Sequence, residues 1–313
     1  MAGLRASRIP YVVTLHTVRS RPQSLRDVVS ALCTDADLVT VFTREARRLV
    51  LELGVSDARR TVVVPHGAPA LLRNRPEAPR GVLADVMSRM EGARVITSFG
   101  LIKPAKGLEL VIRALPTIAR RHPDVHYVVA GATHPEVARL SGERYRRRLL
   151  QLTAELGVAR NVGFINEFLP VGQIGWLLDR AELCITPYLS EDQVSSGVLT
   201  FALAAGCPVV STDYSYARQM LGTHAGAAPG AIVPRRDAAS FAAVISELLA
   251  DLERMAASRA AAQLAGSALL WPEVARQFAN LLTRVRSRRP VGRDVGARRR
   301  RVPRAGAAPV LGR

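Results

Sequence analysis

Short β-branched runs alternate with helix-period stretches along this chain, and that order constrains its fold more than any other property. The runs lie at 10–15, 37–42, 61–64, 94–99, 125–130, 161–165, 183–186, 208–211 and 231–233. Between them apolar residues recur three and four apart, as at 108–121, 142–156 and 237–262. Strand–helix alternation builds parallel sheets covered on both faces, so an α/β protein with two parallel sheets is expected. Pro- and Arg-rich 73–80 interrupts the pattern. It reads as an interdomain linker, and the expected boundaries are a first domain at 1–75, a linker at 76–92 and a second domain at 93–270. Only three convincing strands precede the linker, whereas a doubly wound domain usually has about five or six. The first domain is therefore expected to be incomplete, with its true start upstream or lost by truncation. Trp271 and Pro272 open a last helix, 271–285, with Val274, Phe278, Leu281 and Leu282 on one face. This helix is expected to pack back on the first domain.

The formal net charge of +18 is unevenly placed. Residues 284–313 hold eleven arginines and one acid, Asp294, so +10 lies there and +8 over the rest. With its Gly, Pro and Ala content, 286–313 reads as a disordered basic arm, either simply solvated or touching an anionic membrane surface. Specific nucleic-acid binding is not expected, since no zinc spacing or aromatic-interleaved basic ladder accompanies it. Cys33, Cys184 and Cys207 form neither a disulfide framework nor a metal knuckle, and buried thiols in a reducing cytoplasm are the expectation. No apolar run reaches the roughly 18 residues needed to span a bilayer. Residues 9–18 are broken by Pro10, Thr14 and His16, which makes a poor signal core. A soluble cytoplasmic protein is expected, with peripheral contact at the inner membrane face open.

The stretch VITSFGLIKPAKG, 95–107, carries the clearest chemistry. A strand ends at Gly100, the loop brings Lys103 and Lys106, and Gly107 precedes an amphipathic helix. A parallel sheet delivers ligands to such strand ends, and free N–H groups at a helix start attract phosphate. A diphosphate is the expected guest, against the plainer reading of two surface lysines. A second loop, EDQVSSGVLTFALAAG at 191–206, offers Gln193, Ser195, Ser196 and Gly197 at the start of a small-residue helix. It reads as an anion or sugar site on the same rim, or as simple N-capping by serine. His16, His66 (followed by Gly67) and His134 sit at strand ends, where catalytic groups gather. They are too scattered to argue for a metal, and none is expected. His122, His126 and His224 receive no role. Glu143 and Arg144, in GERYRRR, read as a helix start with a solvated charged face.

Taken together, VTLH, VVVPHG, SFGLIKPAKG, VVAG, NVGFI, LCITPY and SSGVLTFALAAGCPVVST resemble the C-terminal two-thirds of a group 1 (family 4) glycosyltransferase. The resemblance runs from about residue 10 to about 283 and is strongest over 94–234. It implies the GT-B fold, two Rossmann-like domains facing across a cleft, with the incomplete first domain on the acceptor side. The implied activity is metal-free, retaining transfer of a sugar from a nucleotide diphosphate sugar, with no cofactor. By position, Lys106 would hold the donor diphosphate and Gly107 would allow the helix to approach it. His16 would face the donor sugar, Ser196 and Gly197 would match the donor-binding turn, and Asn166 to Phe168 would lie near the base. His66 and Gly67 match the pair that precedes the linker.

Three departures accompany the resemblance. Leu101 stands where the family usually has an arginine, and Lys103 is displaced from that position. Gln193 and Phe201 stand where it usually has two glutamates; the amide can still bond sugar hydroxyls, whereas the phenyl ring cannot bind a ribose. The glycine-rich acceptor loop would belong to the missing half-domain. The expected function is transfer of a hexosyl group to a glycan, lipid or small-molecule acceptor. The alternatives are a degenerate nucleotide-sugar or glycan-binding protein, and a protein acting mainly through its basic arm.

Overall fold

The computed structural model describes residues 9–18, 23–73, 77–191, 193–222 and 227–288. The first unit contains β1 (Val12–Leu15), α1 (Gln23–Cys33), β2 (Leu38–Val41), α2 (Arg44–Glu52) and β3 (Thr61–Val63). Its strands are parallel in the order β1-β2-β3. The second unit begins with α3 (Gly81–Ser88), β4 (Arg94–Phe99), α4 (Leu108–Arg121), β5 (Val125–Ala130), α5 (Pro135–Ser141), α6 (Arg144–Glu155) and β6 (Val162–Ile165). It continues through α7 (Val171–Arg180), β7 (Ala181–Thr186), α8 (Gly197–Ala204), β8 (Val209–Thr212), α9 (Ser215–Leu221) and β9 (Gly230–Val233). Three helices follow: α10 (Ala238–Ala250), α11 (Leu252–Ser267) and α12 (Trp271–Arg288). Every predicted strand forms.

The second sheet is six-stranded and parallel, in the order β6-β5-β4-β7-β8-β9. The chain winds outward from β4 through β5 to β6, then returns to β7 on the other side of β4. That reversal leaves a crevice at the carboxyl ends of β4 and β7, the place where open parallel sheets bind ligands. The β-branched strands can be continuous apolar runs because both faces are covered. On one face Ile96, Tyr127 and Val129 pack with Val111, Leu115 and Ile118 of α4 and Phe241 and Ile245 of α10. On the other, Val95, Val128 and Ile165 pack with Leu83, Leu177, Leu199 and Leu203. Burial is worth about 1.5–3 kcal/mol for each large aliphatic side chain, which fixes the strand ends rigidly beneath the loops.

Four expectations change. The single helix at 237–262 is two, because Asp251 leaves helical geometry (φ −100°, ψ 95°) and its carboxylate accepts the Arg254 N–H to start α11. The expected linker 76–92 contains α3, whose Leu83 is buried in the second unit's core. Helix α12 runs to Arg288, beyond the expected end at 285. The charged face of α6 is not wholly solvated: Arg146 is buried and donates to the Gly131 carbonyl at 2.7 Å while pairing with Glu143. Residues 289–313, most of the basic arm, and His224 lie outside the described residues.

The two units are joined by more than the chain between them. Ala68 N–H donates to the Leu269 carbonyl and Trp271 N–H returns to the Ala68 carbonyl, both at 2.8 Å. The Trp271 ring lies so close over Gly67 that a Cβ there would sit 2.5 Å from it. The start of α12 is thereby seated on the end of the first unit.

Candidate functional site

Lys106 lies in a single 3₁₀ turn, Pro104–Lys106, that closes the loop after β4. Its ammonium donates to the Tyr188 hydroxyl at 2.7 Å and sits 4.0 Å from that ring's centroid. Tyr188 follows β7, so this contact spans the crevice between β4 and β7. Burial pulls the Lys106 pKa down to about 8, with Cys184 opposing the shift. A lysine without a full counter-charge, half-buried at a sheet switch point, is prepared for an anion. Gly107 makes this approach possible. It adopts φ +62°, and a Cβ there would lie 2.2 Å from the Pro187 carbonyl oxygen. Leu189 N–H also donates to the Ala105 carbonyl at 3.1 Å, so the two loops are bonded edge to edge.

Tyr188 is buried close to Ser196. Burial pushes the phenol's pKa up, and a hydrogen bond with Ser196 opposes that rise. Ser196 is the N-cap of α8, its hydroxyl accepting from Leu199 N–H at 3.2 Å. The amides of Gly197 and Val198 precede the first intrahelical bond, leaving them available at the positive end of α8. The 193–197 loop also straddles the two units. Gln193 donates from its amide to the Ser195 carbonyl, and Ser195 donates its hydroxyl to the His16 carbonyl, both at 2.9 Å. Val194 is buried within the first unit's core beside Leu15 and Val18.

Across the cleft, His16, Phe42 and His66 form one aromatic group. His16 meets Phe42 edge-on at 4.7 Å between centroids, and Phe42 meets His66 at 4.9 Å. His66 donates Nδ1–H to the Gly67 carbonyl at 2.9 Å, which leaves Nε2 as the acceptor of a neutral ring. Burial lowers its pKa, and His16 adds to that effect. The nearest atom to a Cβ built on Gly197 is Cε1 of His66, 4.0 Å away. The start of α8 therefore opens toward this histidine.

The other expected residues divide. Gly100 (φ +100°) and Gly131 let the β4 and β5 ends close together, a Cβ on Gly131 falling 2.1 Å from the Gly100 carbonyl oxygen. Lys103 is half-buried at the start of the 3₁₀ turn. His134 accepts the Glu136 N–H at 3.3 Å and caps α5. Asn166 is exposed beyond β6, with Phe168 73% exposed beside it. Two features departed from sequence reasoning. Tyr188 and Val194 organise the site, though only the aromatic in LCITPY hinted at either. The N-terminus of α4 is not the free anion site it was expected to be: Tyr145 accepts its Leu108 N–H at 3.2 Å, and Glu109 places a carboxylate in its first turn. The available helix end is that of α8. Among the described residues no group of three His, Cys, Asp or Glu side chains is placed to hold a metal. No described helix is long and apolar enough to cross a membrane.

Comparison with known proteins decides the family. The model of the family described as "Glycosyl transferases group 1" matches residues 86–264, more than half of the chain. The chain belongs to this family. Among curated relatives it is 28% identical over 263 residues to a D-inositol 3-phosphate glycosyltransferase of Nocardia farcinica, covering 79% of this chain and 55% of that protein. A phosphatidyl-myo-inositol mannosyltransferase of Mycolicibacterium smegmatis is 27% identical over 254 residues, covering 80% of this chain and 59% of the relative. The chain thus spans little more than half the length of these relatives. The crystal structure of Anabaena Alr3699/HepE in complex with UDP matches with a TM-score of 0.76 at 20% identity, over 90% of this chain and 74% of that one. Trehalose-6-phosphate synthase OtsA matches with a TM-score of 0.72 at 15% identity, over 91% and 69%. These group 1 relatives and GT-B neighbours agree with the two parallel sheets described above.

Proposed function

We propose that this chain carries the donor site of a retaining hexosyltransferase that uses a nucleotide diphosphate sugar. The observation that supports it most is the convergence of Lys106, Tyr188 and the free start of α8 at the β4–β7 crevice, facing His66 across the cleft. In this reading the diphosphate lies between the Lys106 ammonium and the Gly197 and Val198 amides. Charge that grows on the departing phosphate as the glycosidic bond breaks is met by groups already in place. The departing phosphate oxygen takes the acceptor proton, so no side-chain base is required. His16 and His66 orient the sugar, and Asn166 borders the base. Names of the relatives favour a mannosyl or related hexosyl donor and a phosphorylated polyol or lipid acceptor. The 286–313 arm supplies contact with an anionic membrane surface.

A second reading, binding without turnover, is favoured by Phe201, whose ring packs against the core where a ribose-binding carboxylate would otherwise stand. Turnover separates the two. Full-length chain incubated with isotope-labelled uridine, guanosine and adenosine diphosphate sugars should release or transfer sugar, and Lys106→Ala should abolish this. Saturable binding with no turnover of any donor would establish the second reading.

A further inference from the structure

A second pocket lies on the outer helical layer and shares no lining residue with the Lys106, Tyr188 and 193–197 group. It has a volume of about 530 Å³ between α4 and α6. Leu149 and Leu152 form its buried floor. Arg144 and Arg148, four apart on α6, share one helix face and meet Arg113 of α4 around the opening. Among the described residues none of these three guanidinium groups makes an ion pair or hydrogen bond, whereas Arg146 on the same helix makes both. The acid on the wall, Glu109, accepts from the Tyr145 hydroxyl instead of pairing with an arginine. Three cations and one anion leave a formal +2 around the cavity.

We propose that this pocket is a binding site for a phosphate monoester with a small organic body, such as a sugar phosphate. The doubly charged phosphate matches the local charge, and guanidinium forks suit its oxygens. The volume falls in the ordinary range for small-molecule sites, about 300–1,000 Å³, and exceeds what a bare phosphate fills. The leucine floor takes the carbon skeleton. The site is separate from the donor cleft, yet its wall is continuous with it: Pro104 lines the pocket, and Tyr145 accepts the Leu108 N–H directly after Gly107. Occupancy should therefore register at the first turn of α4.

The test is equilibrium binding to the full chain with glucose 6-phosphate as probe, beside glucose and inorganic phosphate, followed by calorimetry and by amide shifts in nuclear magnetic resonance. Expected is saturable binding of glucose 6-phosphate that shifts Leu108 and Arg148 amides, persists in saturating UDP, and weakens at least about tenfold in R144A/R148A. Glucose should not bind, and inorganic phosphate should bind more weakly. Displacement by UDP, unchanged affinity in the double variant, equal affinity for bare phosphate, or no binding would each overturn the proposal. None of these outcomes depends on turnover, so they stand apart from the proposed transferase activity.

Discussion

At the scale of single residues, the proposed site centres on one lysine and the glycine after it. Lys106 is held among Tyr188 and buried walls, and its pKa of about 8 reflects burial first. A bound diphosphate would raise that value by supplying the missing counter-charge, so binding takes up a proton once the free lysine has lost its own. Donor affinity should be flat below about pH 8 and fall as pH rises above it, by up to about tenfold per unit. A titration of binding against pH tests this; Lys106→Ala should bind weakly with no such dependence. Gly107→Ala makes a different demand. Its φ of +62° and the Pro187 carbonyl 2.2 Å from a new Cβ leave no rotamer by which to escape. A loss of about 3 kcal/mol or more in urea unfolding is expected. The residue pattern singled out Lys106 and Gly107, since a lysine-glycine pair between strand and helix is a local signal. It did not show Tyr188, because the partner comes from a strand end 82 residues away along the chain.

At the scale of elements, the start of α8 is the part that most directly joins fold to chemistry. Ser196 caps the helix with its hydroxyl, close to Tyr188, the lysine's partner. Ser196→Ala should cost about 1 kcal/mol of stability and weaken donor binding. Ser195→Ala removes only an exposed bond to the His16 carbonyl and should change stability by less than about 0.5 kcal/mol. Chemical denaturation of both variants, with donor titrations, checks the contrast. Strands were legible because period-2 or continuous β-branched runs are local properties. The division at Asp251 was less so, since helix-period apolar residues continue on both sides of a cap. The α4 terminus misled for a related reason: a helix start looks free in sequence, and only packing brought Tyr145 of α6 onto it.

At the scale of the whole molecule, the two sheets are held so that the α8 start faces the His16, Phe42 and His66 group. Trp271 on Gly67 and Val194 in the first unit's core are among the contacts that set this relation. Gly67→Val should displace the indole. Its emission, read in a Trp176→Phe background, should shift to the red, and donor affinity should fall with it. The alternation of strands and helices revealed two parallel sheets, but their facing surfaces depend on contacts between residues far apart in sequence. The proposed diphosphate site spans Lys106 and the α8 start. Calorimetric titration of the full chain with uridine, guanosine and adenosine diphosphate sugars tests it most directly. At least one donor should bind with one-to-one stoichiometry and lose about tenfold or more in affinity in Lys106→Ala. Binding that the substitution leaves unchanged, or no binding of any donor, would rule this site out.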